Sequence, residues 1–138
     1  MKKLIVFDVN ETLLDIKALD PLFEKFFGNA SARGIWFGLV LRNSLVSSIT
    51  GNYEDFGKIA GGALEMTAQM HNINLGDEDR KSILGNIRSL PPHPDVINGL
   101  DKLKSADFRL FTLTNSPPQV IKAQLQNSNL SKYFEKSS

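Results

Sequence analysis

Apolar and polar residues divide this chain into a few short strand-like runs and several longer helical ones. Leu4-Ile5-Val6-Phe7 is an unbroken apolar run. So short a run, rich in branched side chains, predicts a strand buried on both faces of a parallel sheet. It stops at Asp8, and Val9-Asn10-Glu11-Thr12 interrupts the pattern before Leu13-Leu14. Helical spacing then takes over. Leu19, Leu22, Phe23, Phe26 and Phe27 predict a first helix between Leu13 and Phe27. Pro21 suits its first turn, and Gly28-Asn29 ends it. A second, longer helix follows Ser31 as its cap. Its apolar side is Ile35, Trp36, Leu39, Val40, Leu45, Val46 and Ile49, and Gly51-Asn52 stops it.

A third helix is expected from Glu54 to Asn72, with Phe56, Ile59, Ala60, Ala63, Leu64, Thr67 and Met70 on one side. Gly57, Gly61 and Gly62 each cost about 1 kcal/mol in a helix interior relative to Ala, which predicts close approach of another helix or backbone. A fourth helix spans Gly76 to Leu90, with Ile83, Leu84, Ile87 and Leu90 inward. Asp77-Glu78-Asp79 sits at its positive end and reads as a solvated helix start, not a metal site. Leu90-Pro91-Pro92-His93-Pro94 then breaks the series, because three prolines forbid helix there. Pro94 to Ser105 is the next helix, Phe108 to Leu113 a second strand, Thr114-Asn115-Ser116-Pro117-Pro118 a turn, and Pro118 begins a helix with Val120, Ile121 and Leu125. Leu130 to Phe134 is a last apolar patch, with the start of a third strand expected after Phe134. The order predicts an α/β core, residues 1–15 and 91–138, interrupted by a four-helix insert at 16–90.

Composition narrows the functions. Of 138 residues, 41% are apolar and 22% charged, which fits one modest core. A net charge of +1 supplies no field for nucleic acid or a membrane surface. The absence of cysteine excludes disulfides and thiolate metal sites. No apolar run approaches a membrane span, and the four apolar residues after Lys3 are too few for a secretory signal, so a cytoplasmic location is expected. His71 and His93 are each isolated in sequence and are expected to be structural or solvated.

Asp8 is the first candidate for chemistry. A carboxylate just past the C-terminal end of a buried parallel strand stands where open α/β sheets place their ligands. The plainer alternative is that it caps the next element. Thr114-Asn115, at the end of the second strand, has a plain alternative too, as turn chemistry.

Asp8-Val9-Asn10-Glu11-Thr12-Leu13 resembles the first motif of the haloacid dehalogenase (HAD) superfamily, whose leading Asp is a nucleophile followed at short spacing by Thr-Leu. Leu110-Phe111-Thr112-Leu113-Thr114-Asn115 resembles its second motif, an apolar strand ending in Ser or Thr and then Asn. Gly34-Ile35-Trp36 and Gly51-Asn52-Tyr53-Glu54-Asp55-Phe56 are similar to the helical cap of type II (L-2-)haloacid dehalogenases. The resemblance covers nearly the whole chain. It implies a HAD-like Rossmannoid core, present as its N-terminal part, with residues 16–90 as the cap. It further implies a hydrolase of small molecules in which Asp8 forms a covalent aspartyl intermediate that water hydrolyses. On the same ground Thr114 binds an oxygen of the substrate or intermediate and Asn115 helps to position it, while Asn10, whose amide can hydrogen-bond, is a further candidate for binding substrate.

The chain departs from the family pattern in several places. The phosphatase branch has a second Asp where Asn10 stands, and an amide cannot supply the proton a leaving alkoxide needs. Halide leaves without one, which favours the dehalogenase branch, although that branch has an aromatic at this position. It also places an arginine after the cap tryptophan, where Phe37 stands here. Arg42 is expected to be a surface residue, and Trp36 to pack in the cap core rather than wall the substrate. Lys132 and Lys136 come too early for the family lysine. No cofactor is expected. Mg2+ would enter only for a phosphatase, and Asp8 with a backbone carbonyl falls short of the roughly six oxygens such an ion takes. Three readings stay open: a 2-haloacid dehalogenase, a HAD chain without turnover, and an unusual phosphatase. An open sheet edge is expected to drive homo-oligomerisation or marginal stability.

Overall fold

A computed structural model describes residues 3–135. In chain order the elements are β1 (Leu4–Phe7), α1 (Asp20–Phe27), α2 (Ala32–Ile49), α3 (Phe56–Met70), α4 (Asp77–Asn86), α5 (Val96–Ser105), β2 (Arg109–Thr112) and α6 (Pro118–Asn127). Short 3-10 turns stand at Ile16–Leu19, Ile87–Ser89 and Ser131–Tyr133. The fold is the expected α/β arrangement, with a helical insert between two strands. By its contacts the chain divides into two compact units. One is 1–16, 88–114 and 118–138, and the other is 17–87 with 115–117.

In the α/β unit, β1 and β2 pair in parallel, in register from Leu4–Arg109 to Phe7–Thr112. Two further backbone bonds extend the ladder: Arg109 donates to the Lys3 carbonyl at 2.9 Å and Leu113 to the Phe7 carbonyl at 2.8 Å. Parallel strands need a long crossover, and the insert with α5 supplies it. The unit's core is Val9, Leu13, Leu14, Ile16, Leu90, Leu100, Leu110 and Leu130, all buried. The expectation that β1 is buried on both faces fails, since Leu4 is 53% and Val6 50% exposed. These two share one face of the strand, and among the described residues no full layer covers it. Beyond β2, Phe134 is extended and packs edge-on against Phe7 at 6.0 Å. The Glu135 N–H donates to the Leu110 carbonyl at 2.9 Å. Lys136, and the course of a third strand, lie outside the described residues.

The helical unit is held by an aromatic cluster. Phe23 stacks on Phe27 at 5.2 Å and lies 5.4 Å from Trp36. Trp36 is fully buried, and its Nε1–H donates to the Ala60 carbonyl at 3.0 Å, tying α2 to α3. Ala60, Ala63, Leu64 and Ile83 complete this core. Gly28 ends α1 in the left-handed conformation, φ +68°. Asp55 caps α3 by accepting from the Lys58 N–H at 3.0 Å. At α4 the acidic run is a helix start, as expected. Asp79 accepts from the Gly76 N–H at 2.9 Å, Asp77 pairs with Arg80 at 3.1 Å and Glu78 with Lys81 at 2.8 Å.

α1 does begin at Asp20 with Pro21 in its first turn, and the stretch before it is a loop in which the Leu13 and Leu14 N–H groups are taken by the Val9 carbonyl. Several sequence expectations are corrected here. Ser31 does not cap α2. It is already helical, and its hydroxyl donates to Asn29 Oδ1 at 2.8 Å. Only part of the α2 apolar side is covered: Trp36 and Val40 are buried, whereas Leu45, Val46 and Ile49 are exposed. Nor do the α3 glycines mark a close approach of another helix or backbone. A Cβ at Gly57 would lie 3.1 Å from Oδ1 of Asp55, the cap of the same helix, one at Gly61 would make ordinary contact with Leu84, one at Gly62 would meet open space, and nothing in the structure explains Gly62.

Candidate active site

Asp8 leaves β1 at its C-terminal end and is exposed. The Leu113–Phe7 backbone bond carries β2 to the same level, so Thr114 also emerges at the C-terminal edge of the sheet. The loop after Asp8 is built on alternating burial. Val9, Leu13 and Leu14 are inside, while Asp8, Glu11 and Thr12 face out. The Val9 carbonyl accepts from Leu13 at 2.9 Å and from Leu14 at 3.1 Å, and Glu11 donates to the Leu14 carbonyl at 2.9 Å. This tight loop puts Glu11 at φ +66°, a conformation that costs a non-glycine residue about 1–2 kcal/mol. Its Oε1 accepts from the Ile16 N–H at 2.9 Å, which helps to hold the turn.

Thr12 Oγ1 donates to Asp8 Oδ2 at 2.9 Å. That bond ties one oxygen of the exposed carboxylate to the loop. Asn10 is half-buried, and its Oδ1 accepts from Gln124 Nε2 at 3.0 Å. The amide oxygen of Asn10 is thus turned to α6. Thr114 is half-buried in the same unit as Asp8, while Asn115 is exposed and falls in the helical unit. The structure thus gathers Asp8, Asn10, Thr12 and the end of β2 in the α/β unit.

Sequence reasoning missed Gln124, which is fully buried. The available signal was its place on the apolar stripe of α6, among Val120, Ile121 and Leu125, where a polar side chain needs a partner. It also missed a cluster. His93 is not isolated: its N–H donates to the Leu13 carbonyl at 2.9 Å, and its Nε2 lies 2.8 Å from the Glu11 carbonyl oxygen. Asp15 donates its N–H to the Pro91 carbonyl at 2.8 Å, and Leu14 bridges Pro92 in antiparallel fashion. Glu11, Asp15 and His93 therefore converge. His71 fits its structural expectation. It caps α3, with Nδ1 2.9 Å from the Thr67 carbonyl and its ring edge-on to Phe27. In the helical unit Phe37 is half-buried, 6.1 Å from the Trp36 ring, and Arg42 is exposed.

A carboxylate at the end of a parallel strand, with a helical insert before the second strand, defines an α/β protein with a carboxylate where open α/β sheets place their ligands. A model of the family described as haloacid dehalogenase-like hydrolase matches residues 2–138, and the chain belongs to that family. It is 27% identical over 134 residues to an (S)-2-haloacid dehalogenase of Pseudomonas putida, covering 95% of this chain and 59% of that protein. It is 28% identical over 136 residues to (S)-2-haloacid dehalogenase 4A of Burkholderia cepacia, covering 94% and 57%. The fold superposes on the L-2-haloacid dehalogenase of Xanthobacter autotrophicus with a TM-score of 0.88 at 25% identity, covering 98% of this chain and 55% of that one. The chain thus spans less than two thirds of the relatives it matches.

Proposed function

We propose that this chain carries the nucleophile of a hydrolase that acts on 2-haloacids, and that the nucleophile is Asp8. The observation that carries this reading is the Asp8 carboxylate at the end of β1, its Oδ2 held by Thr12 at 2.9 Å. Kinship with (S)-2-haloacid dehalogenases supports the substrate class. In the first step an Asp8 oxygen attacks C2 of the haloacid, a C–O bond forms, and the halide leaves with the bonding pair. In the second, water attacks the acyl carbon of the ester. The hydroxy acid and the regenerated carboxylate separate, and one proton passes to solvent. Thr114 and Asn115 serve as donors to the substrate carboxylate or the intermediate, and Asn10 lies beside them as a further substrate-binding residue. The halide needs no proton, so an amide at position 10 is no handicap, and these steps require no metal or organic cofactor. The partner is a small anion, met in the cytoplasm.

Phe37, where an arginine for the halide is expected, supports a second reading in which the chain binds without turnover. Incubation with (S)-2-chloropropionate separates the two, read by chloride release and by intact-protein mass spectrometry. The expected result is an ester adduct on the peptide containing Asp8, with both signals absent in Asp8→Asn. Chloride release that survives in Asp8→Asn, with deamidation excluded by mass, overturns the nucleophile. Absence of adduct and chloride favours the chain without turnover, and phosphate release from a panel of esters would move the substrate class to phosphate esters.

A further inference from the structure

We propose that Glu11, Asp15 and His93 form a binding site for one divalent transition-metal ion, with Zn2+ the species that suits its donors. One nitrogen of His93 and one carboxylate oxygen from each acid lie within 4.8 Å of one another. An imidazole with two carboxylates is the mixed nitrogen–oxygen set of zinc and its first-row neighbours, whereas Mg2+ takes oxygen ligands and keeps its waters.

The ligands come from two segments far apart in sequence, and the backbone clamps them together. The Leu14–Pro92 bridge, the Asp15–Pro91 bond and the His93–Leu13 bond fix residues 13–15 against 91–93. The His93 ring is oriented as well. Its Nε2 lies 2.8 Å from the Glu11 carbonyl oxygen, so in the neutral imidazole Nε2–H donates there. The lone pair then resides on Nδ1, and a ring N–H spent on a backbone carbonyl is the usual outer support of a metal-bound histidine. Glu11 Oε1 accepts from the Ile16 N–H, which holds this carboxylate at the turn. Ligand atoms around zinc, at bonds near 2.1 Å, stand about 3.4 Å apart. Closing from the present spacing needs side-chain movement of about 1 Å. Glu11 is exposed, and Asp15 and His93 are half-buried, which allows it. Three protein ligands leave the fourth position of a tetrahedral ion to water. None of the three residues has a role in the hydrolysis proposed above, so either proposal can fail alone.

The test is calorimetric titration of the tag-free 138-residue chain with ZnCl2 and, in parallel, MgCl2, with thermal melts in each. The expected result is one Zn2+ per chain, bound at least tenfold more tightly than Mg2+, and a higher Tm with zinc. Asp15→Asn and Glu11→Gln should each weaken zinc binding by about tenfold or more. Glu11→Gln keeps an amide oxygen for the Ile16 N–H, so its metal-free melt should match the parent and show that the loss is not unfolding. His93→Gln should abolish binding. No zinc binding, magnesium bound as tightly as zinc, or zinc binding unchanged in Glu11→Gln and Asp15→Asn would each overturn the site.

Discussion

Single side chains here do unequal work, and Trp36 and Phe37 show the contrast. Trp36 is fully enclosed between Phe23 and α3, with its ring N–H satisfied by Ala60. Truncation to Ala would remove a large buried ring and its bond to the Ala60 carbonyl and leave a cavity. Trp36→Ala is therefore expected to cost about 3–5 kcal/mol, read from urea unfolding. Its neighbour Phe37 is half-buried and fixed less firmly. If a cation at this position limits halide departure, Phe37→Arg raises chloride release, because a guanidinium stabilises a leaving anion. Unchanged release in a variant that still depends on Asp8 would point away from haloacids. Asn10 differs again, being set by Gln124. Gln124→Leu removes the donor to its amide oxygen and should cost about 1 kcal/mol of stability.

At the scale of elements, ends matter more than middles. Gly28 terminates α1 at φ +68°, and a Cβ there would meet nothing within 4 Å. Gly28→Ala thus tests backbone conformation alone and should destabilise by about 1 kcal/mol. An ion pair adds to the apolar packing between α3 and α4. Arg80 grips the Glu65 carboxylate through its Nε and, at 3.2 Å, through Nη2. Hydrogen bonding to Arg80 holds the Glu65 carboxyl below its ordinary value of 4.5. A carboxyl that is more acidic in the folded state adds stability above that ordinary value and loses it as the pH falls through the lowered one. The melting temperature of the parent should then fall more steeply below pH 4.5 than that of Glu65→Gln. Both side chains are partly exposed, which keeps the difference small.

For the whole molecule the open question is the sheet. β1 has β2 on one side, and no strand pairs with its other edge among the described residues. Leu4 and Val6 add half-exposed apolar surface to that strand. An uncovered edge of this kind invites a second chain. Sedimentation velocity should show concentration-dependent association that Val6→Lys reduces, since a charge on such a strand blocks edge pairing. A monomer at every concentration, with a sharp cooperative melt, would show that the two strands suffice.

The sequence by itself determined the order of elements, the parallel pairing of two strands across a helical insert, the prolines that close the insert, and a strand-end carboxylate at Asp8. These follow from local signals: runs of apolar residues, helical spacing, Gly28 after a helix and three prolines before α5. Tertiary structure decided which of those apolar residues are covered. Leu45, Val46 and Ile49 carry the same helical signal as Trp36 and Val40, yet periodicity records only that a face exists, not whether a partner reaches it. It also decided how the side chains around the first strand are met. Gln124 reaches Asn10 across 114 positions, and His93 reaches Glu11 across 82. Contacts between residues so far apart leave no mark in either local pattern, because they are fixed by how α6 and the proline segment fold back onto the loop after β1.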